Sequence, residues 1–221
     1  MNEIGSGAVR RAVISVLDVL IVALVAWTVS RMVFVRMNGA LVSFGLGAFR
    51  YYTVLSNVFC AVTCLVSLIW SVTHRGEDLP GRLYVFRLMG TAVVGVTFFV
   101  VLTFLGPTMG YRAMFSGVSF WLHLVVPVLA AVEMVLQKPD GAVPFRKTFL
   151  AILPTLVYGV FYLGVNAAGW TGRSNPKTDF YGFLRWGWGI GAVFLLAAFL
   201  ISWLFAALFW KLGRAGRAGR K

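Results

Sequence analysis

The pattern of hydrophobic and polar positions along the chain shows six long apolar stretches separated by short polar segments. A helix of about 20 residues crosses the hydrocarbon core of a bilayer, and each stretch is at least that long. Inside a membrane every backbone group must pair within its own segment, so each stretch is predicted to be a helix. The sequence therefore predicts an all-α polytopic membrane protein with six transmembrane helices. The predicted spans cover about residues 12–35, 51–73, 85–106, 116–137, 147–168 and 186–210.

The composition favours the same fold class. The chain has 221 residues, of which 60% are hydrophobic and 12% are charged. A soluble domain of this length cannot hide so much apolar surface. Because the loops between the stretches are short, we expect a single six-helix transmembrane domain over residues 1–210. A basic tail follows over residues 211–221.

The net charge of +13 comes mainly from basic residues in the short loops and at the two termini. Membrane proteins keep lysine and arginine there for orientation and for contact with anionic lipids, so this charge does not indicate nucleic-acid binding. Most of these residues fall on the side of the two termini, which predicts that both termini are cytoplasmic. The tail KLGRAGRAGRK is expected to be a disordered arm that touches anionic headgroups.

A polar cluster interrupts the apolar pattern at the start of the second stretch, which reads FRYYTVLSNVF. Thr53, Ser56 and Asn57 lie there, where lipid tails offer no hydrogen-bond partner. In membrane helices the face with small and polar residues turns toward neighbouring helices. His123, the only histidine in any predicted span, lies near the outer end of the fourth stretch. Because both spans run inward from the outer side, Thr53 and His123 are predicted to lie at a similar shallow depth.

These residue types support either packing or chemistry. Polar side chains in membrane helices commonly form hydrogen bonds between helices, each worth about 0.6 kcal/mol. An ionisable histidine in a membrane is costly, however, and usually functional. A neutral His123 within reach can take the proton of the Thr53 hydroxyl and make it a nucleophile. Unpaired backbone N–H groups at the start of the second helix, with Asn57 and Ser56 as oxyanion-binding or orienting groups, complete the predicted site.

The surroundings of the histidine favour a two-residue site over a triad. The one acid on the predicted outer side is Asp179 in the last loop, so no carboxylate is clearly placed to orient His123. Pro127 follows four residues after His123 and has no N–H, so we expect a kink that leaves the His123 carbonyl free. Two histidines are too few for a histidine metal site, and Cys60 and Cys64 are expected to be small buried residues. No metal or cofactor is predicted.

Three charged residues fall inside the inner halves of the predicted spans or at their inner ends: Asp18, Arg87 and Glu133. We expect one or both acids to pair with Arg87 and to fix the register of the helices. The alternative is a path for protons or ions through the inner half of the bundle.

Three segments carry a resemblance to a known family: FRYYTVLSN (Phe49–Asn57), HLVVPVLAAVE (His123–Glu133) and LPTLVYGVFYLGVNAAG (Leu153–Gly169). The sequence looks like the androgen-induced and androgen-dependent integral membrane proteins, together with their bacterial six-helix relatives. The likeness extends more loosely over nearly the whole chain. Two parts of the likeness are the most specific. One is the histidine that is followed by a proline four residues later. The other is the start of the second span, where aromatic residues precede a threonine, a serine and an asparagine.

The resemblance implies a six-helix bundle that acts as a membrane-embedded threonine hydrolase on fatty acid esters of hydroxy fatty acids or similar lipid esters. The positions that match the family's threonine and histidine are Thr53 and His123. The implied location is a bacterial cytoplasmic membrane. The last loop departs from the family, because TDFYGFLRW has Gly182 where relatives often have proline. We therefore expect a different shape of the outer mouth.

A branched fatty ester suits the predicted site, since its two tails can lie between spans while the ester sits near Thr53. Its free carboxylate can reach cations on the outer side, for which Arg50, Arg112 and Arg173 are the candidates. These side chains can instead extend to lipid headgroups. The sequence leaves two other functions open, a small lipid or solute transporter and a non-enzymatic membrane scaffold.

Overall fold

The computed structural model describes residues 3–35, 45–75, 77–169, 175 and 177–218. Within these residues six helices are long and apolar enough to cross a membrane. They are α1 (Glu3–Phe34), α2 (Tyr52–Thr73), α3 (Gly81–Met109), α4 (Gly117–Leu136), α5 (Phe145–Ala168) and α6 (Trp188–Ala218). The prediction of an all-α chain with six such helices is confirmed.

Helices α1, α3 and α5 begin earlier than the apolar pattern predicts, and α3 and α6 end later. Helices α3 and α5 start directly after Pro80 and Pro144, whose extended backbone marks the turn into each helix. Proline is well suited to this position because its φ is fixed and it has no N–H to leave unpaired. Helix α6 continues to Ala218, because lysine, leucine, arginine and alanine all favour helix. A disordered arm starting at Lys211 is therefore wrong for residues 211–218, and residues 219–221 lie outside the described part.

Irregular helical segments gather at one end of the bundle, which we call the Thr53 end because α2 begins there. Helix α3 contains a π-helical stretch at Val101–Leu105, and α4 contains another at Trp121–Val125. A short helix, Tyr111–Met114, connects α3 to α4, and a 3-10 turn, Gly45–Arg50, leads into α2. Each of these elements shifts local backbone direction, so side chains at this end can converge in ways that regular helices do not allow.

The opposite end, which we call the terminal end, contains one irregular helical segment, the 3-10 stretch Phe145–Ala151 that opens α5. Two short parallel strands, Leu79–Pro80 and Pro139–Asp140, join the loop before α3 to the loop before α5. Arg10 of α1 forms an ion pair with Asp78, with 2.6 Å between Nη2 and Oδ1. These contacts hold α1 and the loops before α3 and α5 together at the end where the sequence predicts the basic side of the protein.

Helix α3 is the most buried of the six, and it packs against α2, α4 and α6. Helix α1 packs against α2 and α4. Helix α6 is the least buried, and four leucines spaced four residues apart form an exposed stripe along it. The stripe consists of Leu196, Leu200, Leu204 and Leu208, each 48–63% exposed. A continuous leucine face of this kind suits contact with lipid tails rather than with water.

Candidate functional site

Thr53 and His123 lie side by side between α2 and α4. Thr53 is in the first turn of α2, and His123 is in the π-helical stretch of α4. The Thr53 Oγ1 atom is 3.4 Å from His123 Nε2, and the two residues are only 3% and 1% exposed. The distance is longer than a typical hydroxyl hydrogen bond, as is common for catalytic pairs without substrate. The structure thus brings together the two residues predicted at similar depth.

The hydrogen bond made by Nδ1 of His123 determines the protonation state of Nε2, the nitrogen that faces Thr53. His123 Nδ1 is 2.7 Å from the backbone carbonyl oxygen of Met114, at the end of the short connecting helix. A carbonyl only accepts hydrogen bonds, so Nδ1 carries the proton and donates to it. Nε2 is then left with a lone pair that faces the Thr53 hydroxyl. The Met114 carbonyl orients the imidazole in the way that a carboxylate does in a catalytic triad.

The π-helical stretch of α4 frees a different carbonyl from the one predicted. The Val126 N–H donates to the carbonyl of Trp121, five residues earlier. The matching donor for Leu122 would be Pro127, which has no N–H. The Leu122 carbonyl accepts a hydrogen bond from Asn57 Nδ2 at 3.1 Å instead. Because of Pro127, the Leu122 carbonyl is open to a side chain from another helix. The prediction had placed this free carbonyl one residue later, at His123.

Asn57 and Ser56 hold the backbone of α2 beside the reactive pair. Asn57 Nδ2 donates to the carbonyls of Thr53 at 2.7 Å and of Leu122 at 3.1 Å. Ser56 Oγ donates to the Thr53 carbonyl at 3.1 Å and lies 2.8 Å from Thr97 Oγ1 of α3. Both N–H groups of Asn57 are thus engaged with backbone carbonyls. Of the two predicted roles, the orienting one matches these contacts.

Tyr181 covers the start of α2, where free backbone N–H groups were expected. Its hydroxyl oxygen accepts the Tyr52 N–H at 2.8 Å and also faces the Thr53 N–H. Tyr181 lies in the loop before α6, and burial raises the pKa of its phenol above the usual range, so the group stays neutral. Sequence reasoning missed this residue because it considered only the charged residues and Gly182 in that loop.

An apolar cavity of about 260 Å3 lies against Thr53, bounded by α2, α3, α5, α6 and the loop before α6. Its walls carry aromatic and aliphatic side chains, with hydroxyls from Thr53, Thr97, Thr155 and Tyr181. His123 stands behind Thr53 and does not line this cavity. A molecule that enters the cavity would therefore contact Thr53 first. The imidazole would act on that molecule through the threonine hydroxyl.

A wider groove of about 610 Å3 runs along the outside of α2, α3 and α5. Its lining is almost entirely apolar, and Tyr52 and Tyr158 line both the groove and the cavity. The Tyr52 hydroxyl lies 2.8 Å from Thr155 Oγ1, and the Tyr158 hydroxyl donates to the Arg50 carbonyl at 2.9 Å. This tyrosine wall is the boundary between the two apolar spaces.

The predicted cations lie near the Thr53 end but outside the cavity lining. The Arg50 guanidinium lies over the rings of Tyr51 and Phe180, at 5.0 and 5.2 Å from their centroids. Arg112 is exposed on the short helix that carries Met114. Neither arginine lines the cavity as the described residues define it. Arg173 lies outside the described residues.

Asp179, the acid considered from the sequence as a group to orient His123, instead holds the last loop in place through hydrogen bonds. Asp179 accepts hydrogen bonds from the Tyr162 hydroxyl and, at 3.1 Å, from the Leu184 N–H. Gly182 has a φ of 72°, in the left-handed region that proline, with its φ fixed near −65°, cannot adopt. Replacing proline by glycine at this position therefore changes the path of the loop that carries Tyr181.

Both acids inside the bundle lie beside Arg87, and Glu133 makes the close pair with it, in agreement with the prediction that one or both acids would do so. Arg87 Nη2 is 2.6 Å from Glu133 Oε2, and Arg87 Nε is 3.6 Å from Asp18 Oδ1. All three side chains are completely buried. Cys60 and Cys64 are also buried and free, in agreement with the prediction for them.

Comparisons of the chain with protein-family models, curated proteins and solved structures give no match. Function must therefore be inferred from the contacts of the site and from the resemblance carried by its sequence.

Proposed function

We propose that this protein is a membrane-embedded lipid ester hydrolase in which Thr53 is the nucleophile and His123 is the general base. One observation carries the proposal: Thr53 lines an apolar cavity, and its Oγ1 atom faces His123 Nε2 at 3.4 Å. The Met114 carbonyl fixes the imidazole in the tautomer that accepts a proton from threonine. Buried threonine and histidine side chains that serve only packing do not require an open apolar space beside the hydroxyl.

The proposed reaction proceeds in two halves. His123 Nε2 takes the proton of Thr53 while Oγ1 attacks the ester carbonyl carbon, and a tetrahedral oxyanion forms. The imidazolium then gives this proton to the departing alcohol oxygen, which leaves an acyl-threonine. In the second half His123 deprotonates a water molecule that attacks the acyl-threonine. The fatty acid is released and Thr53 regains its proton.

Tyr181 is the side chain best placed to stabilise the oxyanion. Asn57 already donates both of its N–H groups to carbonyls, and the Tyr52 N–H is held by Tyr181 itself. The Tyr181 phenol lines the same cavity as Thr53 and is neutral, so it has a proton to donate. A donor directed at the developing negative charge contributes about 10²–10³-fold to the rate of comparable acyl transfers.

The substrate class comes from the resemblance and suits the shape of the site. A fatty acid ester of a hydroxy fatty acid has two chains that meet at one ester. The cavity and the external groove are both apolar and are separated by Tyr52 and Tyr158 close to Thr53. One chain in each space would bring the ester to the threonine. The free carboxylate would then point toward the end where Arg50 and Arg112 lie.

The proposed placement in the cell follows the charge distribution. With both termini in the cytoplasm, the Thr53 end faces the outer leaflet and the basic end of α6 meets anionic headgroups of the inner leaflet. In a bacterium this is the cytoplasmic membrane. The hydrolase would then act on lipid esters in the outer leaflet.

A fluorophosphonate probe, which forms a covalent bond with an activated hydroxyl, tests the proposal. The purified wild type should be labelled, whereas Thr53→Ala and His123→Ala should not be. Thr73→Ala is the matched control, because Thr73 lies at the other end of α2 and its hydroxyl bonds to the backbone of its own helix. It should be labelled like the wild type. Equal labelling of Thr53→Ala and the wild type would contradict the assignment of the nucleophile.

A transporter or a scaffold would give a different result. In that case lipid esters stay intact in the presence of the wild type, and the probe leaves it unlabelled. Uptake of a lipid or solute into vesicles that survives Thr53→Ser and Thr53→Ala would indicate transport through the same cavity.

A further inference from the structure

The cluster formed by Asp18, Arg87 and Glu133 has an excess of negative charge in the most buried part of the bundle. It joins α1, α3 and α4, and its three side chains are fully buried. Two carboxylates face a single guanidinium, so the fully ionised cluster would carry one uncompensated negative charge. An unbalanced charge in an apolar interior is costly, and buried ionisable groups commonly avoid that cost by changing their protonation state.

Glu133 has the contacts of an ionised carboxylate. Its Oε2 atom lies 2.6 Å from Arg87 Nη2, and its Oε1 atom accepts a hydrogen bond from Gln137 Nε2 at 2.8 Å. Gln137 is itself held by Ser67, at 3.2 Å. Glu133 Oε1 therefore has a hydrogen-bond donor and Oε2 has a cation at ion-pair distance, and both contacts favour the charged form.

Asp18 has no contact as close as these, and its polar neighbours besides Arg87 are the Cys64 thiol and the Ser67 hydroxyl. Neither of its oxygens accepts a hydrogen bond from any residue in the described part of the chain. Its contact with Arg87, 3.6 Å from Oδ1 to Nε, is longer than a hydrogen bond, whereas Arg87 Nη1 donates to Thr91 at 3.0 Å. The guanidinium thus directs its close contacts to Glu133 and Thr91 rather than to Asp18.

The other titratable groups around Asp18 do not supply the missing positive charge. Helix α2 presents the thiols of Cys60 and Cys64, α3 presents Arg87, and α4 presents Glu133. A thiol is neutral or negative, so Arg87 is the one cation among these groups. The positive charge that would balance an ionised Asp18 must therefore come from somewhere other than these four side chains.

We propose that Asp18 is a proton-binding site, and that the cluster holds one exchangeable proton on the Asp18 carboxyl at neutral pH. The proton forms an O–H bond on one Asp18 oxygen and makes the cluster neutral, with Arg87 and Glu133 as the ion pair. This site is separate from the Thr53–His123 pair, and it stands whether or not the protein is a hydrolase.

Infrared difference spectroscopy of protein labelled with carbon-13 at the aspartate side-chain carboxyl tests the proposal directly. The wild type at pH 7 should show a labelled carboxylic-acid C=O band that shifts in D2O. Asp18→Asn should lose this band, and Asp179→Asn should keep it, because Asp179 accepts two hydrogen bonds as a carboxylate does. The chain has four aspartates: Asp18, Asp78, Asp140 and Asp179. Absence of the labelled band in the wild type, or its persistence in Asp18→Asn, would overturn the proposal.

Thermal unfolding in detergent gives a second, independent test. Asparagine imitates a protonated aspartate in shape and charge, so Asp18→Asn should shift the melting temperature by no more than about 4 °C. Glu133→Gln leaves Arg87 without its close partner and should lower it by about 10 °C or more. As the pH rises from about 4, where an unfolded aspartate loses its proton, to the pH where the infrared band disappears, the wild type should lose thermal stability relative to Asp18→Asn and then level off. Equal destabilisation by Asp18→Asn and Glu133→Gln would show that Asp18 is a charged partner of Arg87.

Discussion

Two buried polar sites in the described part of the chain differ in charge and in access, and the difference indicates which of them is the better candidate for chemistry. The Thr53–His123 pair consists of a hydroxyl and an imidazole, and Thr53 borders an apolar cavity of about 260 Å3. The Asp18–Arg87–Glu133 cluster consists of three ionisable groups with no exposed surface. A reacting group must meet a substrate, so the open and uncharged site is suited to catalysis. The closed and charged one is suited to holding helices and a proton.

The two sites also differ in the regularity of the helices that build them. The Thr53–His123 pair depends on a π-helical stretch, a short connecting helix and the loop before α6. The charged cluster is formed by side chains from regular parts of α1, α3 and α4. Irregular helix geometry costs stability and is concentrated at functional sites, whereas regular helices suffice for structural ion pairs. Substitutions should therefore affect activity at one site and stability at the other.

The largest effect is expected for Thr53→Ala. Loss of the nucleophile should lower the rate of ester hydrolysis by at least about 10³-fold, as for other hydrolases that lose a member of the catalytic pair. Thr53→Ser, which keeps a hydroxyl, should retain much of the activity. The melting temperature of both variants should stay close to that of the wild type. The measurement is the initial rate of fatty acid release from a long-chain ester, with Thr73→Ala as the control.

The next largest effect should appear in stability rather than in the chemical step. Arg87→Leu leaves Glu133 buried without its cation, which typically costs about 3–5 kcal/mol. We expect a much lower melting temperature, while the folded fraction at low temperature keeps labelling Thr53 with the probe. Arg82→Leu is the matched control, because Arg82 is an exposed residue in the first turn of the same helix. A loss of labelling without a loss of stability would show that the two sites are coupled.

Removal of the Tyr181 hydroxyl should have an intermediate effect on catalysis. Tyr181→Phe takes away both the proposed oxyanion donor and the acceptor of the Tyr52 N–H. We expect kcat to fall by about 10²-fold with a smaller change in KM, since the donor acts mainly in the transition state. Tyr111→Phe, at an exposed tyrosine outside the cavity, serves as the comparison. An unchanged kcat would remove Tyr181 from the mechanism.

The smallest effect should come from Asn57→Ala. The variant leaves the Leu122 carbonyl without the side-chain donor that it has in the structure. An unpaired buried carbonyl costs about 1–3 kcal/mol, so the melting temperature should fall moderately. Activity should fall as well, by about 10-fold, because α2 and α4 are no longer held together beside the pair. A variant with normal stability and no activity would instead indicate that Asn57 contacts the substrate.

The helices could be predicted from the sequence because hydropathy alone determines them. The second span was predicted at 51–73 and the helix is Tyr52–Thr73. The pairing of Glu133 with Arg87 could also be predicted, since buried charges require partners. The shared depth of Thr53 and His123 followed from the direction of their spans. In each case a local property or a simple rule of membrane burial was sufficient.

The contacts that make the site reactive could not be predicted in the same way. The Met114 carbonyl reaches His123 only because the chain before α4 forms a short helix. Tyr181 reaches Tyr52 across 129 residues of sequence, from a loop whose path depends on the backbone of Gly182. These are tertiary contacts between irregular segments, and no periodicity in the sequence encodes them.

Mass-spectrometric mapping of the fluorophosphonate adduct is the most direct test of the central claim. The digest of labelled wild-type protein should contain one modified peptide from the start of α2, with the phosphonyl group on Thr53, and His123→Ala should abolish that adduct. Modification of another residue while Thr53 stays unmodified, or ester hydrolysis that continues in Thr53→Ala, would contradict the account.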